Sequence, residues 1–289
     1  MTAGASASAH GAASAEPSEE HHLLPAWSVA EGASLARMAR ALPDVVTREW
    51  AWGGADGSGV RVCILDSGIE AGHPRIGAVD SAVVVSLEDD EIRVEPDDAG
   101  DVCGHGTACA GVVRELAPRC SLHSVRVLGA GFTGSGSILL GGLRYAVEQG
   151  FDIVNMSLST SKKRYMAELH DIADAAFFGR TVLVASAHNM PVESYPWRFS
   201  SVISVGSHAG SDPFAFFYNP SPPVEFFARG VNLDVAWTGG ASITTTGNSF
   251  ATPHLTGLCA LILSKHPELT PFQLKSVLCQ TAGNAIDQP

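Results

Sequence analysis

Val60-Arg61-Val62-Cys63-Ile64-Leu65-Asp66-Ser67-Gly68 is the stretch around which the rest of the chain can be ordered. A mostly apolar, β-branched run ends on an acid and then on a Ser-Gly turn. Such a run predicts a strand covered on both faces. Five further runs read the same way: Ser81–Leu87, Ser121–Leu128, Asp152–Leu158, Thr181–Ala187 and Val202–Ser207. Helical stretches lie between and after them. Ser137–Gln149 stops at Gly150 and Ala167–Phe178 stops at Gly179, each a good C-terminal signal. Thr270-Pro271-Phe272-Gln273 reads as a capping box with proline at the first helical position. The alternation predicts an α/β fold, a three-layer sandwich with a mainly parallel central sheet. No internal repeat is visible.

Composition narrows the functional classes. With 45% hydrophobic and 17% charged residues over 289 positions, the chain can bury a large core. Eighteen Lys and Arg against 30 Asp and Glu give a formal charge of −12, which disfavours nucleic acid as a partner. The longest apolar stretch, Leu258–Leu263, falls far short of the roughly 18 residues of a membrane span.

Residues 1–22 contain no Val, Leu, Ile or aromatic residue, and so no apolar segment of a secretion signal. We expect a disordered or loosely structured tail over residues 1–42, with a short amphipathic piece at Ser34–Ala41, and a catalytic domain over 43–289. An unexported chain implies the cytoplasm. There the six cysteines (63, 103, 109, 120, 259 and 279) are expected as free thiols, since none has a paired CxxC spacing.

In open α/β sheets, ligands sit at the carboxyl ends of the strands. After the first strand comes Asp66-Ser67-Gly68. Gly104-His105-Gly106-Thr107 opens a helix, and Ala187-His188-Asn189 follows a strand. Gly247-Asn248-Ser249-Phe250-Ala251-Thr252-Pro253 opens a late helix. Singly, these read as a turn, loops and an N-cap. Together they offer a carboxylate, a base, a nucleophile and an amide donor for a developing oxyanion.

Those three motifs, in the order Asp, His, Ser, resemble the subtilisin-like serine proteases from about Pro43 to about Asn284. Ile153-Val154-Asn155-Met156-Ser157-Leu158 and Gly134-Ser135-Gly136 add to the resemblance. The resemblance implies Ser249 as nucleophile, His105 as general base and then acid, and Asp66 as its orienting carboxylate. It also implies Asn189, with the Ser249 backbone N–H, as the oxyanion hole. Ser157, Leu158 and Ser159 would pair with an extended substrate, and Cys103 would line the cleft for the second substrate residue.

Departures from the family pattern refine these expectations. His188 and Ser159 stand where glycine is usual, which should narrow the pocket for the residue before the cut. Met190–Tyr195 is shorter than usual. Cys109–Glu115 runs straight into Leu116-Ala117-Pro118, leaving no room for the family's calcium loop, so no metal or other cofactor is expected. The acidic stretch Glu88–Asp101 is expected to be a solvated loop, with a weak calcium site or an acidic rim favouring basic substrates as alternatives. A metal held by Cys103, His105 and Cys109 would consume the base and is set aside. About forty residues are too few for a folded pro-domain, which leaves room for a helper chain or precursor peptide. The reading is a serine endopeptidase for peptide or protein substrates, selective and concerned with processing leader or precursor peptides. A general degradative protease and a silent peptide-binding pseudoprotease are its alternatives.

Overall fold

The computed structural model describes residues 42–285. The expected tail and the amphipathic piece at 34–41 lie outside them, save for Leu42. Eleven strands are formed by the described residues: β1 (Arg61–Asp66), β2 (Ser81–Glu88), β3 (Glu91–Pro96), β4 (Ser121–Arg126), β5 (Ile153–Met156), β6 (Val182–Ser186), β7 (Ile203–His208), β8 (Phe216–Tyr218), β9 (Phe226–Arg229), β10 (Leu233–Trp237) and β11 (Ala241–Thr245). The helices are α1 (Arg48–Trp52), α2 (His105–Leu116), α3 (Gly136–Glu148), α4 (Met166–Phe178), α5 (Asn248–Lys265) and α6 (Pro271–Thr281).

Nine strands form one sheet in the order β3-β2-β4-β1-β5-β6-β7-β9-β8, while β10 and β11 form a separate antiparallel pair. Only the outermost pairs, β2–β3 and β8–β9, are antiparallel; the six pairings between β2 and β9 are parallel. The six strands expected from sequence are all present, shifted at their ends by one or two residues. Acidic Glu91–Pro96 was expected as loop and is instead the edge strand β3.

Strand β1 shows why the layers number three. Val62 and Ile64 point into a core shared with α2 and α5, while Cys63 and Leu65 point into a second core shared with α3 and α4. All four are essentially inaccessible. Alternation of side chains across the pleat, with both faces apolar, demands cover on both sides. Each such side chain contributes about 1.5–3 kcal/mol on burial, so the run is costly to place anywhere else. β1 is also the point of topological reversal. The chain builds β2 and β4 on one side of it, then crosses over to β5, β6 and β7 on the other. A crevice at the carboxyl end of β1 follows from that order. The capping box expected at Thr270 is formed, with the hydroxyl accepting from Gln273 N and the Gln273 carbonyl oxygen accepting from Thr270 N at 2.9 Å.

Candidate active site

Asp66 is the last residue of β1 and fully buried. Its carboxylate accepts from the Ser67 N–H at 2.8 Å. The His105 Nδ1 lies 2.8 Å and 3.0 Å from its two oxygens. A carboxylate only accepts, so Nδ1 carries the proton and Nε2 is left as the acceptor. Burial alone would lower the His105 pKa, but the adjacent Asp66 charge outweighs it and holds the imidazole well above the ordinary histidine value.

Backbone packing requires glycines here. A Cβ on Gly106 would lie 2.0 Å from the Gly68 carbonyl oxygen. Gly68 itself has φ +106° and meets the Gly100 carbonyl oxygen in the same way. The Asp-Ser-Gly and Gly-His-Gly segments are therefore pressed backbone to backbone, and that contact sets the histidine beside the acid.

The start of α2 is capped from a distance. Gly104, its N-cap, offers no side chain. Asp101 supplies the anion instead. Its Oδ1 accepts from Ser67 Oγ (2.8 Å), Cys103 N (3.0 Å) and Gly104 N (2.8 Å), and its Oδ2 accepts from Thr107 N (2.8 Å). Ser67 Oγ accepts in turn from Gly106 N at 3.0 Å. One carboxylate thus ties the turn after Asp66 to the helix that begins with His105. Asp97 is also engaged, accepting from Arg126 Nε at 2.7 Å and Nη2 at 3.0 Å. The stretch Glu88–Asp101 is therefore a strand followed by two anchoring acids, and none of its carboxylates lines the cleft. The stretch is largely solvated as expected, but Glu91–Pro96 within it is strand rather than loop, and the cleft lining gives the acidic rim no support.

Ser249 is the second residue of α5. Pro253, four residues on, has no N–H, so the Ser249 carbonyl lacks its helical partner. Ser157 Oγ donates to it at 2.7 Å. The buried chain continues: Asn155 Nδ2 donates to Ser157 Oγ at 3.0 Å, and Thr256 Oγ1 donates to Asn155 Oδ1 at 2.9 Å. The fully buried Cys109 thiol lies 3.3 Å from Ser157 Oγ and 4.0 Å from His105 Nδ1. Burial raises its pKa, so it stays a neutral thiol.

At the mouth of α5, Asn248 N donates to Asn189 Oδ1 at 2.9 Å, which turns the Asn189 NH₂ the other way. Phe250 N is taken by Gly247 O, and the Ser249 N–H has no acceptor among the described residues. Asn189 Nδ2 and Ser249 Oγ lie 3.6 Å and 3.2 Å from the point where a Gly247 Cβ would stand. The Asn248 side chain holds this corner. Its Oδ1 accepts from Ser207 N (2.9 Å) and Ser207 Oγ (2.8 Å), while its Nδ2 donates to Ala187 O (3.2 Å) and His188 O (3.4 Å).

These parts open on one cleft of about 470 Å³, lined by His105, Ser249, Asn189, Ser157, Leu158, Ser159 and His188 among others. Phe132, half-exposed, stands edge-on to His105 at 5.8 Å between ring centres. Cys103 is not among the lining residues; it sits half-buried with its N–H on Asp101. All six cysteines are free thiols. Among the described residues the one group of three that could hold a metal is Asp66, His105 and Cys109. An ion there would occupy Nδ1 and the carboxylate, removing the proton relay.

Asp101, Ser67, Asn248, Asn155 and Thr256 were not singled out as site-building residues, and Ser157, expected to pair with substrate, has its side chain turned to the Ser249 carbonyl. Pro253 four residues after Ser249 was the one signal in sequence for that bond, because it orphans the carbonyl. No helix among the described residues is long and apolar enough to cross a membrane.

Comparison with known proteins agrees with this geometry. A model of the subtilase family matches residues 57–288. Subtilisin DY of Bacillus licheniformis is 32% identical over 249 residues, covering 81% of this chain and 87% of that protein. Subtilisin E of Bacillus subtilis is 32% identical over 251 residues, but the match spans only 64% of its length, just under two thirds. Among solved structures, that of a cold-adapted subtilisin-like serine proteinase superposes with a TM-score of 0.63 at 26% identity, covering 81% of this chain and 86% of that one.

Proposed function

The chain belongs to the subtilase family of serine endopeptidases, and on that footing we propose that it is a selective processing protease. It cuts a restricted set of peptide bonds rather than digesting protein at large. The observation that carries this reading is the filled rim of the cleft. His188 and Ser159 both line the cleft with their side chains held, His188 Nδ1 accepting from the Met190 N–H at 3.0 Å and Ser159 Oγ meeting Ser194 Oγ at 2.9 Å. Two fixed side chains there restrict what can enter.

In the proposed reaction, Ser249 Oγ attacks the scissile carbonyl carbon and its proton passes to His105 Nε2. The imidazolium is stabilised through Nδ1–H by Asp66. The carbonyl oxygen, now an anion, accepts from Asn189 Nδ2 and from the Ser249 N–H at the start of α5. Collapse breaks the C–N bond, and the histidine's proton leaves with the amine. Water then enters, gives a proton to His105, and its oxygen attacks the acyl ester. That step returns the proton to Ser249 and frees the acid product. Leu158 and Ser159 run past the cleft with their backbone available to an extended substrate.

No metal or other cofactor enters this scheme; the unbroken helix from His105 to Leu116 is consistent with the absence of an inserted calcium loop. Six free thiols favour a reducing compartment such as the cytoplasm. A fluorophosphonate probe tests the chemistry: it should label the wild type and not Ser249→Ala, and an unlabelled wild type sinks the proposal. A peptide-library digest tests selectivity, and cleavage spread evenly over residue types would return the protein to general degradation.

A further inference from the structure

Of the residues lining the Ser249–His105 cleft, just one carries a fixed charge, and it is a cation, Lys162. Among the described residues, no Asp or Glu lines the cleft. Ser157–Thr160 and Ser186–Asn189, the segments after β5 and β6, both line the cleft. Their side-chain polar groups are mostly hydroxyls with partners of their own. Ser159 Oγ meets Ser194 Oγ at 2.9 Å, Ser186 Oγ donates to Ala187 O at 2.9 Å, and Thr160 Oγ1 accepts from Lys162 N at 3.3 Å. The last bond fixes the backbone of Lys162 at the end of the first segment.

Lys162 is exposed, and no acid pairs with its ammonium among the described residues. Lys163 and Arg164 follow it. Glu193, the acid that Lys163 meets at 3.8 Å, is also engaged by Arg198 at 3.2 Å and the Tyr195 hydroxyl at 2.9 Å. Arg164 donates to the Tyr165 hydroxyl. Lys162, Lys163 and Arg164 are three consecutive cations, in a protein whose formal charge is −12. This basic run has the opposite sign to the whole, and Lys162 is the member of it that borders the cleft.

We infer that Lys162 is a specificity determinant, and that the preferred substrate carries a carboxylate side chain, Glu or Asp, on the residue before the cut. This rests on the serine-endopeptidase reading and names its substrate class. A carboxylate entering the cleft meets an ammonium with no competing acid and a set of hydroxyl groups. An ammonium or guanidinium in the same place meets repulsion with nothing to offset it.

Internally quenched peptides identical except for Glu, Gln, Leu or Lys before the cut test this, using the full chain. An ion pair to an exposed lysine makes the expected preference of Glu over Gln about two- to fivefold in kcat/KM. The ratio should fall to about one in Lys162→Gln and invert in favour of the Lys peptide in Lys162→Glu. It should also shrink in 1 M salt, where screening acts over about 3 Å. A Glu to Gln ratio near one in the wild type, or one unchanged in Lys162→Gln, overturns the inference. If Ser249 takes up the fluorophosphonate and the Leu peptide is cleaved, only the substrate class has failed. If neither occurs, the peptidase reading has failed with it.

Discussion

Asp101→Asn separates the anchoring of the site from its chemistry. Asparagine keeps the shape and one acceptor oxygen, so the bonds from Ser67, Cys103 and Gly104 can persist at the Oδ1 position. The Thr107 N–H then faces an NH₂ group, donor against donor. A buried donor left without an acceptor costs about 1–3 kcal/mol. Removing an anion from the first turn of α2 costs a further 0.3–1 kcal/mol or so. Together that is roughly 2–4 kcal/mol. For a domain of this size each kcal/mol moves Tm by about 2–4 °C, so Tm should fall by about 5–15 °C. The same carboxylate sets the distance between the turn after Asp66 and the helix carrying His105. A displacement of about 1 Å at a catalytic group can cost on the order of 10²-fold, so kcat should fall at least about tenfold with KM little changed. The assay is a thermal melt beside steady-state hydrolysis of a quenched peptide. Asp97→Asn is the control. It breaks the buried pair with Arg126, whose Asp97 side chain is only 1% exposed, and should lower Tm without touching kcat. Equal losses of Tm with kcat of Asp101→Asn within twofold of wild type would refute the anchoring argument.

His105 must be neutral to act as base. Since Asp66 raises its pKa, the acidic limb of kcat/KM should lie above about 6.5, and Asp66→Asn should move that limb to lower pH while cutting kcat by roughly 10³–10⁴. The stability the pair supplies has the opposite sense. It is fully present below about 6.5 and fades as pH rises through the folded value, so the Tm gap between wild type and Asp66→Asn should close on the alkaline side. With no calcium loop inside α2, EDTA should move Tm by less than about 2 °C, and a drop beyond about 10 °C would show a stabilising cation. Mercurials should inactivate slowly, because Cys109 is inaccessible and its thiol un-ionised, and Cys109→Ser should protect. Full modification of Cys109 with activity intact would leave it a packing residue.

What could be read from sequence was local. Strands β1, β4, β5, β6 and β7 are buried on at least one face and rich in Val, Ile and Leu, so their runs stand out. Asp66, His105 and Ser249 sit at strand ends and helix starts, where short Gly-containing motifs mark them. What escaped depends on partners far along the chain. Asp101 is one of eight carboxylates between 88 and 101, and only its four donors distinguish it. Asn248 makes its side-chain bonds to residues 41 to 61 positions away. β3 was hidden by its glutamates, and β8 through β11 by their length of three to five residues. Cys103 was expected in the cleft from the family resemblance, but its N–H is drawn to Asp101 and it is not among the residues that line the cleft.

Strand β3 has a consequence for the protein in concentrated solution. A nine-stranded sheet has two edges, and an edge left with unpaired backbone groups is a template for pairing with another molecule. At one end stands Glu91-Ile92-Arg93-Val94-Glu95-Pro96, whose charges repel a second copy and whose proline withholds a donor. At the other, the three residues of β8 are already covered: Phe216 O accepts from Gly283 N at 2.8 Å, Tyr218 N donates to Asn284 Oδ1 at 2.9 Å, and Tyr218 O accepts from Asn284 Nδ2 at 2.7 Å. Accidental self-pairing is discouraged at both borders of the sheet, while the backbone beside Ser157–Ser159 stays open to a peptide. A variant with Glu91, Arg93 and Glu95 replaced by Thr should keep its fold and its cleavage rate yet lose colloidal stability, forming β-rich aggregates at concentrations where the parent chain stays clear.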